Sequence, residues 1–234
     1  MSASALPGVQ VLGPVLGLED ATVLGPCVLG HPARDPDVGP LELGPGVVIR
    51  AYAVLYQGSR LGPGVQVGHG ALVREGNVVG AESSIGSAAH LEPGNVVGAR
   101  TRIHTGGFLS STTLGDDVFC GPHVTFTDDP HPPCPRYLDC VGGAVVEDGA
   151  SIGARAVILP GVVIGARSLV GAGAVVTEAV GAGDVVAGVP ARRVAARHEL
   201  ACHAEHYAHA YEWVSLAAPA IAGRGAERGS GLDH

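Results

Sequence analysis

The most regular feature of the sequence is an aliphatic residue at every sixth position. Counting by six gives an unbroken aliphatic series over residues 43–109. After a slip of one position the period resumes with the apolar residues Leu114, Cys120 and Phe126, and the aliphatic series returns over residues 146–176. A mostly small residue lies two positions before each aliphatic one. Because side chains two positions apart point to the same side of a strand, each hexad predicts a short strand with two inward residues, followed by a turn.

Glycine often follows the aliphatic position, as at Gly44, Gly62 and Gly68, and glycine suits the backbone angles of tight turns. Three hexads would close a triangular coil, and successive coils would stack at about 4.8 Å, the spacing of strands. The 37 glycines show no three-residue period, and the 4% aromatic content fits a core of stacked aliphatic side chains. The pattern therefore predicts an all-β parallel β-helix, although a β-solenoid of another cross-section remains an alternative.

The repeat also indicates how the chain is organised. A weaker series at Leu12, Leu18 and Leu24 precedes the regular one, and the segment after the last hexad has a helical composition. The end of the chain predicts a flexible tail. The predicted segments are an N-terminal coil or cap at 1–42, the β-helix at 43–190 with an excursion loop at 127–144, a C-terminal α-helix at 191–217, and the tail at 218–234.

Charge and cysteine content limit the partners and the compartment. The net charge is -8 and there is no basic run, so nucleic acid and anionic membranes are not expected partners. Five irregularly spaced cysteines do not predict a disulfide framework. The N-terminus lacks the features of a signal peptide, and no apolar stretch is long enough to span a membrane. These observations predict a cytoplasmic protein.

Candidate chemistry is concentrated in the excursion loop, which is rich in Pro, His, Asp and Cys. Loops on a rigid scaffold commonly carry function. The imidazole of His131 titrates near neutral pH, which suits a general base that takes a proton from an attacking nucleophile. Asp128 or Asp129 could orient that ring or hold the acceptor. The alternative is that His131 is simply a solvated loop residue.

The loop resembles a known family. Residues 121–127, followed by the pair His131 and Pro132, are similar to the stretch around the catalytic histidine of maltose and galactoside O-acetyltransferases, which belong to the hexapeptide-repeat acyltransferases. The resemblance implies a left-handed β-helix, a homotrimer with sites between subunits, and His131 as the base. Residues 126–128 also resemble the nucleotide-amino-sugar N-acetyltransferases, which commonly have Asn at the position of Asp128. An Asp there could hold an ammonium group or act as a base.

The C-terminal coils at 158–194 resemble the acyl-CoA-binding end of the same family. Small residues would let the pantetheine arm lie along a coil edge, a turn would pack the adenine, and two arginines would meet the phosphates. Glu178 replaces a Lys that many relatives have. Repeat geometry alone also explains most of the glycines. The residues assigned to acyl-CoA binding are Gly171, Ala172, Gly173, Ala174, Pro190, Ala191, Arg192 and Arg193.

Other histidines are candidates for acceptor binding. His104 follows the core residue Ile103 and is expected to point outward at a coil corner, where it could face the active site of a neighbouring subunit. His123 is a similar candidate, and Asp129 is a third. His90 precedes a core residue and is expected on the surface.

Two other classes of function remain open. His131, Cys134 and Cys140 have ligand types that suit zinc, but their spacing matches no strong zinc pattern, so no metal is expected. The alternatives are a metal-dependent hydratase of the γ-carbonic-anhydrase type and a non-catalytic scaffold. The favoured prediction is an acetyl-CoA-dependent acyltransferase that acts on an amine or hydroxyl of a sugar or of a nucleotide-linked amino sugar.

Overall fold

The computed structural model describes residues 8–211, which form a three-sided parallel β-helix. Successive strands enter sheet A, sheet B and sheet C in turn, so most strands pair with the strand three places further along the chain.

Short strands form three sheets, which are the three faces of the β-helix. Sheet A contains β1 (Val9–Val11), β4 (Cys27–His31), β7 (Val54–Tyr56), β10 (Leu72–Val73), β13 (His90–Leu91), β16 (Phe108–Leu109), β19 (Thr125–Phe126), β22 (Val157–Ile158) and β25 (Val175–Val176). Sheet B contains β2 (Val15–Leu16), β5 (Leu41–Leu43), β8 (Arg60–Leu61), β11 (Val78–Val79), β14 (Val96–Val97), β17 (Thr113–Leu114), β20 (Val145–Val146) and β23 (Val163–Ile164). Sheet C contains β3 (Thr22–Leu24), β6 (Val48–Arg50), β9 (Gln66–Val67), β12 (Ser84–Ile85), β15 (Arg102–Ile103), β18 (Phe119–Cys120), β21 (Ser151–Ile152), β24 (Leu169–Val170), β26 (Asp184–Gly188) and β27 (Ala191–Ala196).

The hexad aliphatic residues form the core. Val73 pairs in register with Leu55 on the coil before it and with Leu91 on the coil after it, and all three are fully buried. Their small partners, such as Ala53 and Ala71, are buried as well. The prediction of a parallel β-helix is confirmed, and the three-sided form agrees with the left-handed β-helix implied by the resemblance.

The N-terminal series has a different phase from the one predicted. Val23 pairs with the core residue Ile49, whereas Leu24 pairs with the outward Arg50. Leu24 is therefore 54% exposed, Leu12, just after β1, is 50% exposed, and the expectation that they continue the buried series is wrong. Strand alternation explains the difference, because only one of two adjacent residues can face the core. Strand β5 spans the predicted boundary between the cap and the β-helix, and no break separates them in residues 8–211.

The C-terminal segment begins as a strand where a helix was predicted. Strand β27 pairs antiparallel with β26, and a short 3-10 helix, Arg197–Glu199, follows it. The predicted helix is thus wrong for residues 191–211, while residues 212–217 and the predicted tail lie outside the described residues. Without β27, strand β26 would leave unpaired backbone groups at the edge of sheet C, and pairing with them outweighs a helical composition.

Arg197 fastens this segment to the solenoid. Its guanidinium donates to the carbonyl oxygens of Gly149, Arg167 and Ser168 at 2.9–3.1 Å and to the hydroxyl of Ser151 at 2.9 Å. The side chain is only 6% exposed. Of the helices described, none is long and apolar enough to cross a membrane.

Candidate active site

The corners between the sheets divide the candidate residues into two groups. The excursion loop leaves after β19 and rejoins at β20, so it lies at the corner between sheets A and B. His104, His123 and the turn at 171–174 lie between strands of sheets C and A. We call these places the A–B corner and the C–A corner. Within one chain, the width of sheet A separates them.

The carboxylate of Asp128 anchors the loop at the A–B corner. Its Oδ2 accepts hydrogen bonds from Ser110 Oγ at 2.7 Å, Ser111 Oγ at 3.2 Å and Tyr137 Oη at 2.7 Å. The backbone carbonyl of Asp128 accepts a bond from Gly142 N–H at 3.0 Å, which closes the base of the loop. Asp128 therefore joins the start of the loop to its end and to the preceding coil.

The same hydrogen bonds affect the pKa of the Asp128 carboxyl group. Partial burial acts to raise the pKa of Asp128, but the hydroxyls of Ser110, Tyr137 and Ser111 lower it below its ordinary value. A carboxylate held in this way is a weaker base than a free one. The geometry thus favours Asp128 as an anion that holds the loop or an ammonium group, and it disfavours the role of base.

Tyr137 belongs to the only α-helix in the described residues, α1 (Tyr137–Cys140). The hydrogen bond to Asp128, followed by burial and by the charges of Asp128, Asp129 and Glu92, raises the pKa of Tyr137 to about 12. The phenol therefore stays protonated and remains a donor at neutral pH. Tyr137 is not among the residues predicted from the sequence, where its only signal is a phenol within a loop rich in polar residues.

A column of buried polar side chains supports the anchor from inside the coil. Asn77 N–H donates to Ser59 Oγ at 3.2 Å, and Asn95 Nδ2 donates to Asn77 Oδ1 at 2.9 Å. Thr112 N–H donates to Asn95 Oδ1 at 2.8 Å, and Thr112 Oγ1 donates to the carbonyl of Ser110 at 2.9 Å. The column ends at Ser110, so it fixes the residue that holds Asp128. In the sequence these positions are visible as polar members of the small-residue series.

His131 lies on the exposed part of the loop. Its backbone N–H donates to Asp129 Oδ1 at 2.9 Å, an interaction that stabilises a local turn. Asp129 thereby shapes the backbone at His131.

Charged residues line the A–B corner on the coils before the loop. Glu92 accepts a hydrogen bond from Arg74 Nη1 at 2.8 Å and lies 2.9 Å from His90 Nε2. Arg74 also pairs with Glu75 at 3.0 Å. The charge of Glu92 also contributes to raising the pKa of Tyr137. His90, expected on the surface, is partly buried against Phe108.

The histidines of the C–A corner lie apart from the loop in one chain. The His104 ring lies 4.9 Å from the Phe119 ring, and His104 is exposed as expected. His123 has a φ of 57°, and its ring covers Gly106 so closely that a side chain at Gly106 would clash with it. The structure thus brings His104 and His123 to one corner and His131 to another.

The structure brings the residues predicted to bind acetyl-CoA together only in part. Gly171, Ala172, Gly173 and Ala174 form a turn at the C–A corner, and a Cβ on Gly171 would lie 3.0 Å from the Cβ of Ala187. The residues Pro190 and Ala191 lie at the hairpin between β26 and β27.

A cavity of about 170 Å³ lies at this end, and Ala191, Arg192 and Arg193 contribute to its lining. The two arginines already have acidic neighbours. Arg193 Nε lies 2.6 Å from Asp184 Oδ1, and Arg192 Nη1 lies 3.8 Å from Glu178 Oε1. A phosphate would compete with these carboxylates, so the arrangement is less basic than the sequence alone suggested.

The metal ligand types of the loop do not form a cluster. Residues 8–211 contain no group of three or more His, Cys, Asp or Glu side chains placed to hold a metal ion.

A family model for the bacterial transferase hexapeptide, described as six repeats, matches residues 143–178. Among curated proteins, none matches the chain by sequence. A hexapeptide-repeat acetyltransferase from Vibrio cholerae, solved with acetyl coenzyme A, is 32% identical; the match covers 50% of this chain and 69% of that protein, with a TM-score of 0.46.

Two other solved structures are similar over part or most of the chain. A galactoside acetyltransferase in complex with coenzyme A is 26% identical, covering 51% of this chain and 64% of its own, with a TM-score of 0.46. A polySia-specific acetyltransferase is 16% identical, covering 80% of this chain and 86% of its own, with a TM-score of 0.45. Since these TM-scores are below 0.5, the superpositions by themselves assign no function to this chain.

Proposed function

The chain belongs to the hexapeptide-repeat transferases, and we propose that it transfers an acetyl group from acetyl-CoA to an amine or hydroxyl of a sugar. The observation that carries the proposal is the excursion loop, in which Asp128 ties both ends of the segment that bears His131. The Vibrio cholerae relative, solved with acetyl coenzyme A, supports the choice of donor.

His131 is proposed as the general base. An acceptor amine or hydroxyl attacks the thioester carbonyl and loses a proton to the imidazole, and the CoA thiolate then leaves. Backbone N–H groups at a coil corner would stabilise the oxyanion as charge develops on the carbonyl oxygen. The exposed position of His131 leaves its ring accessible to an acceptor.

We propose that the reaction site lies between subunits of a homotrimer. His131 and the turn at 171–174 occupy different corners of the same chain. About five residues of extended chain form each side of a coil, so the corners are on the order of 15 Å apart. A thioester bound along the C–A corner of one subunit could reach His131 at the A–B corner of the next. The cytoplasmic location and the trimer stay predictions, as do the roles of His104 and His123 across the interface.

Charge at the A–B corner favours a cationic acceptor. Asp128 and Asp129 contribute negative charge near Tyr137, whereas the charge of Glu92 is offset by its ion pair with Arg74. An ammonium group would be attracted to this corner, and it would then have to lose a proton before it could attack. An amino sugar, free or linked to a nucleotide, is therefore the proposed acceptor class, with a sugar hydroxyl as the second choice.

The release of CoA tests this proposal. Purified full-length protein would be mixed with acetyl-CoA and a panel of amino sugars, nucleotide-linked amino sugars and matched sugars that carry a hydroxyl instead of the amine. We expect thiol release and a product heavier by one acetyl group with at least one amino sugar. Failure to bind acetyl-CoA in calorimetry, together with no thiol release across the panel, contradicts the proposal.

A further inference from the structure

The hairpin of β26 and β27 carries the residues at 190–193 that are predicted to bind acetyl-CoA. Its strands pair antiparallel from Asp184 opposite Ala196 to Gly188 opposite Ala191, and the turn lies between them. Strand β26 also pairs with β24 of the solenoid, whereas β27 is the last strand of sheet C. The position of β27 therefore depends on β26 and on whatever else fastens it to the coils.

The side chains of β27 give the strand little contact with the core. Within it only Ala196 is buried, and Val194 is 62% exposed. The ion pair of Arg193 with Asp184 joins the two strands of the hairpin to each other. The ion pair of Arg192 with Glu178, at 3.8 Å, is largely exposed and adds little stability. These contacts do not fix β27 against the coils.

Arg197, the first residue after β27, supplies the missing attachment. Its backbone N–H donates to the carbonyl of Gly183 at 2.8 Å, at the base of the hairpin. Its Nη1 donates to the carbonyl of Gly149 on one coil and to the carbonyls of Arg167 and Ser168 on the next. One guanidinium thus joins the end of β27 to two successive coils.

The surroundings of the guanidinium suit an arginine specifically. The side chain is 6% exposed, and its CZ atom lies 4.4 Å from the centre of the Tyr211 ring. Within residues 8–211 its hydrogen bonds go to neutral groups, which are three backbone carbonyls and the hydroxyl of Ser151. A buried cation is costly unless it is fully hydrogen-bonded, and the planar fork of arginine reaches acceptors that the single ammonium of lysine cannot reach together.

We propose that Arg197 is a positioning residue for the acyl donor, which holds the β26–β27 hairpin on the coils so that residues 190–193 can bind acetyl-CoA. The inference rests on the proposed acetyl transfer, because that reaction gives the hairpin its ligand. Arg197 acts through the backbone of β27, since its own contacts lie at the base of the hairpin and not at the turn. Without this attachment, part of the binding free energy of the donor is spent on ordering β27.

Amide hydrogen exchange tests the attachment in the full-length protein without any ligand. Arg197→Met keeps an unbranched side chain of similar length and removes its hydrogen-bond donors. Peptides within 184–196 should exchange about tenfold faster in this variant, while peptides from the coils at 43–126 should be unchanged. Arg197→Lys, which keeps the charge, should recover only part of the protection, because lysine cannot reach all four acceptors.

The binding of acetyl-CoA tests the positioning role. In Arg197→Met, the Kd from calorimetry and the KM for acetyl-CoA should both rise about tenfold. With the amino sugar that the acceptor panel identifies, kcat at saturating acetyl-CoA should stay within about twofold of wild type, because the loop at 127–144 is untouched. A purely structural defect would instead reduce the fraction of active protein, which lowers kcat and leaves Kd unchanged.

Arg167→Met is the matched control. The side chain of Arg167 is exposed, and only its backbone carbonyl accepts a hydrogen bond from Arg197. Both the exchange of residues 184–196 and the Kd for acetyl-CoA should therefore equal those of wild type.

Three results overturn the inference. Unchanged exchange at 184–196 in Arg197→Met shows that Arg197 does not hold the hairpin. Faster exchange spread evenly over the coils at 43–126 shows a general loss of stability. Faster exchange of the hairpin with an unchanged Kd removes the link to the donor. Wild-type protein that fails to bind acetyl-CoA is a different failure: it contradicts the proposed function, while the exchange result still decides whether Arg197 holds the hairpin.

Discussion

The Tyr137 hydroxyl donates a 2.7 Å hydrogen bond to the Asp128 carboxylate, and this bond joins the helix of the excursion loop to its first residues. Ser110 and Ser111, on the preceding coil, donate to the same oxygen. The loop is therefore tied to the rigid β-helix through one carboxylate.

Replacing Tyr137 by Phe removes one donor to Asp128 and keeps the ring. The loss should loosen the loop by about 1 kcal/mol, within the range for hydrogen bonds to charged groups after allowance for solvent exposure. The pKa of Asp128 should rise, because one of the groups that lowers it is gone. Amide hydrogen exchange at residues 137–142 and NMR titration of Asp128 measure both effects. Tyr52→Phe, at a highly exposed ring on a distant coil, is the control and should change neither.

The pH dependence of loop order should follow Asp128. Its folded pKa lies below the ordinary value of 3.8, so its contribution to stability is present above that value and is lost as the pH falls through the lower folded pKa. Exchange protection of the loop should therefore decline only in strongly acidic solution. In Asp128→Asn, which cannot ionise, protection should be weaker near neutral pH and should lose this acidic dependence. Equal protection of both proteins at every pH would show that the charge of Asp128 does not hold the loop.

Replacing Asn95 by Ala should destabilise the whole β-helix. Asn95 donates to Asn77 and accepts from the Thr112 N–H, so its removal leaves buried polar groups without partners. We expect a loss of about 2–4 kcal/mol in the free energy of unfolding, which urea denaturation measures. Ser84→Ala, at an outward position of β12, is the matched control and should cost little. A similar small loss in both variants would contradict a structural role for the polar column.

Much of the fold could be predicted from the sequence because the repeat is local and one-dimensional. The hexad positions from Leu43 onward are all core residues, since each coil repeats the environment of the one before it. The phase predicted for the N-terminal series is wrong at Leu24, where the first coil departs from the regular six-residue period. The prediction of a C-terminal helix is wrong because residues Ala191–Ala196 form a strand that pairs with β26. Amino-acid composition does not reveal that a neighbouring strand has an edge available for pairing.

The candidate site was predictable only in part. The resemblance and the residue types pointed to the loop and to His131. The bond from Tyr137 to Asp128 was not predictable, because a non-repetitive loop has no period that fixes which side chains meet. The corner positions of His104 and His123 follow from the repeat, but which subunit they would serve depends on an interface that no single-chain pattern encodes.

Substitution of His131 by Ala tests the central claim most directly. If His131 is the general base, kcat/KM for acetyl transfer should fall by about 10²–10⁴, the usual contribution of such a base. The affinity for acetyl-CoA, measured by calorimetry, and the thermal stability should be unchanged, because His131 is exposed and, in the proposed trimer, would meet only the thioester end of the donor. His69→Ala, at an exposed turn of an earlier coil, should behave like the wild type. Near-wild-type turnover in His131→Ala would contradict the account.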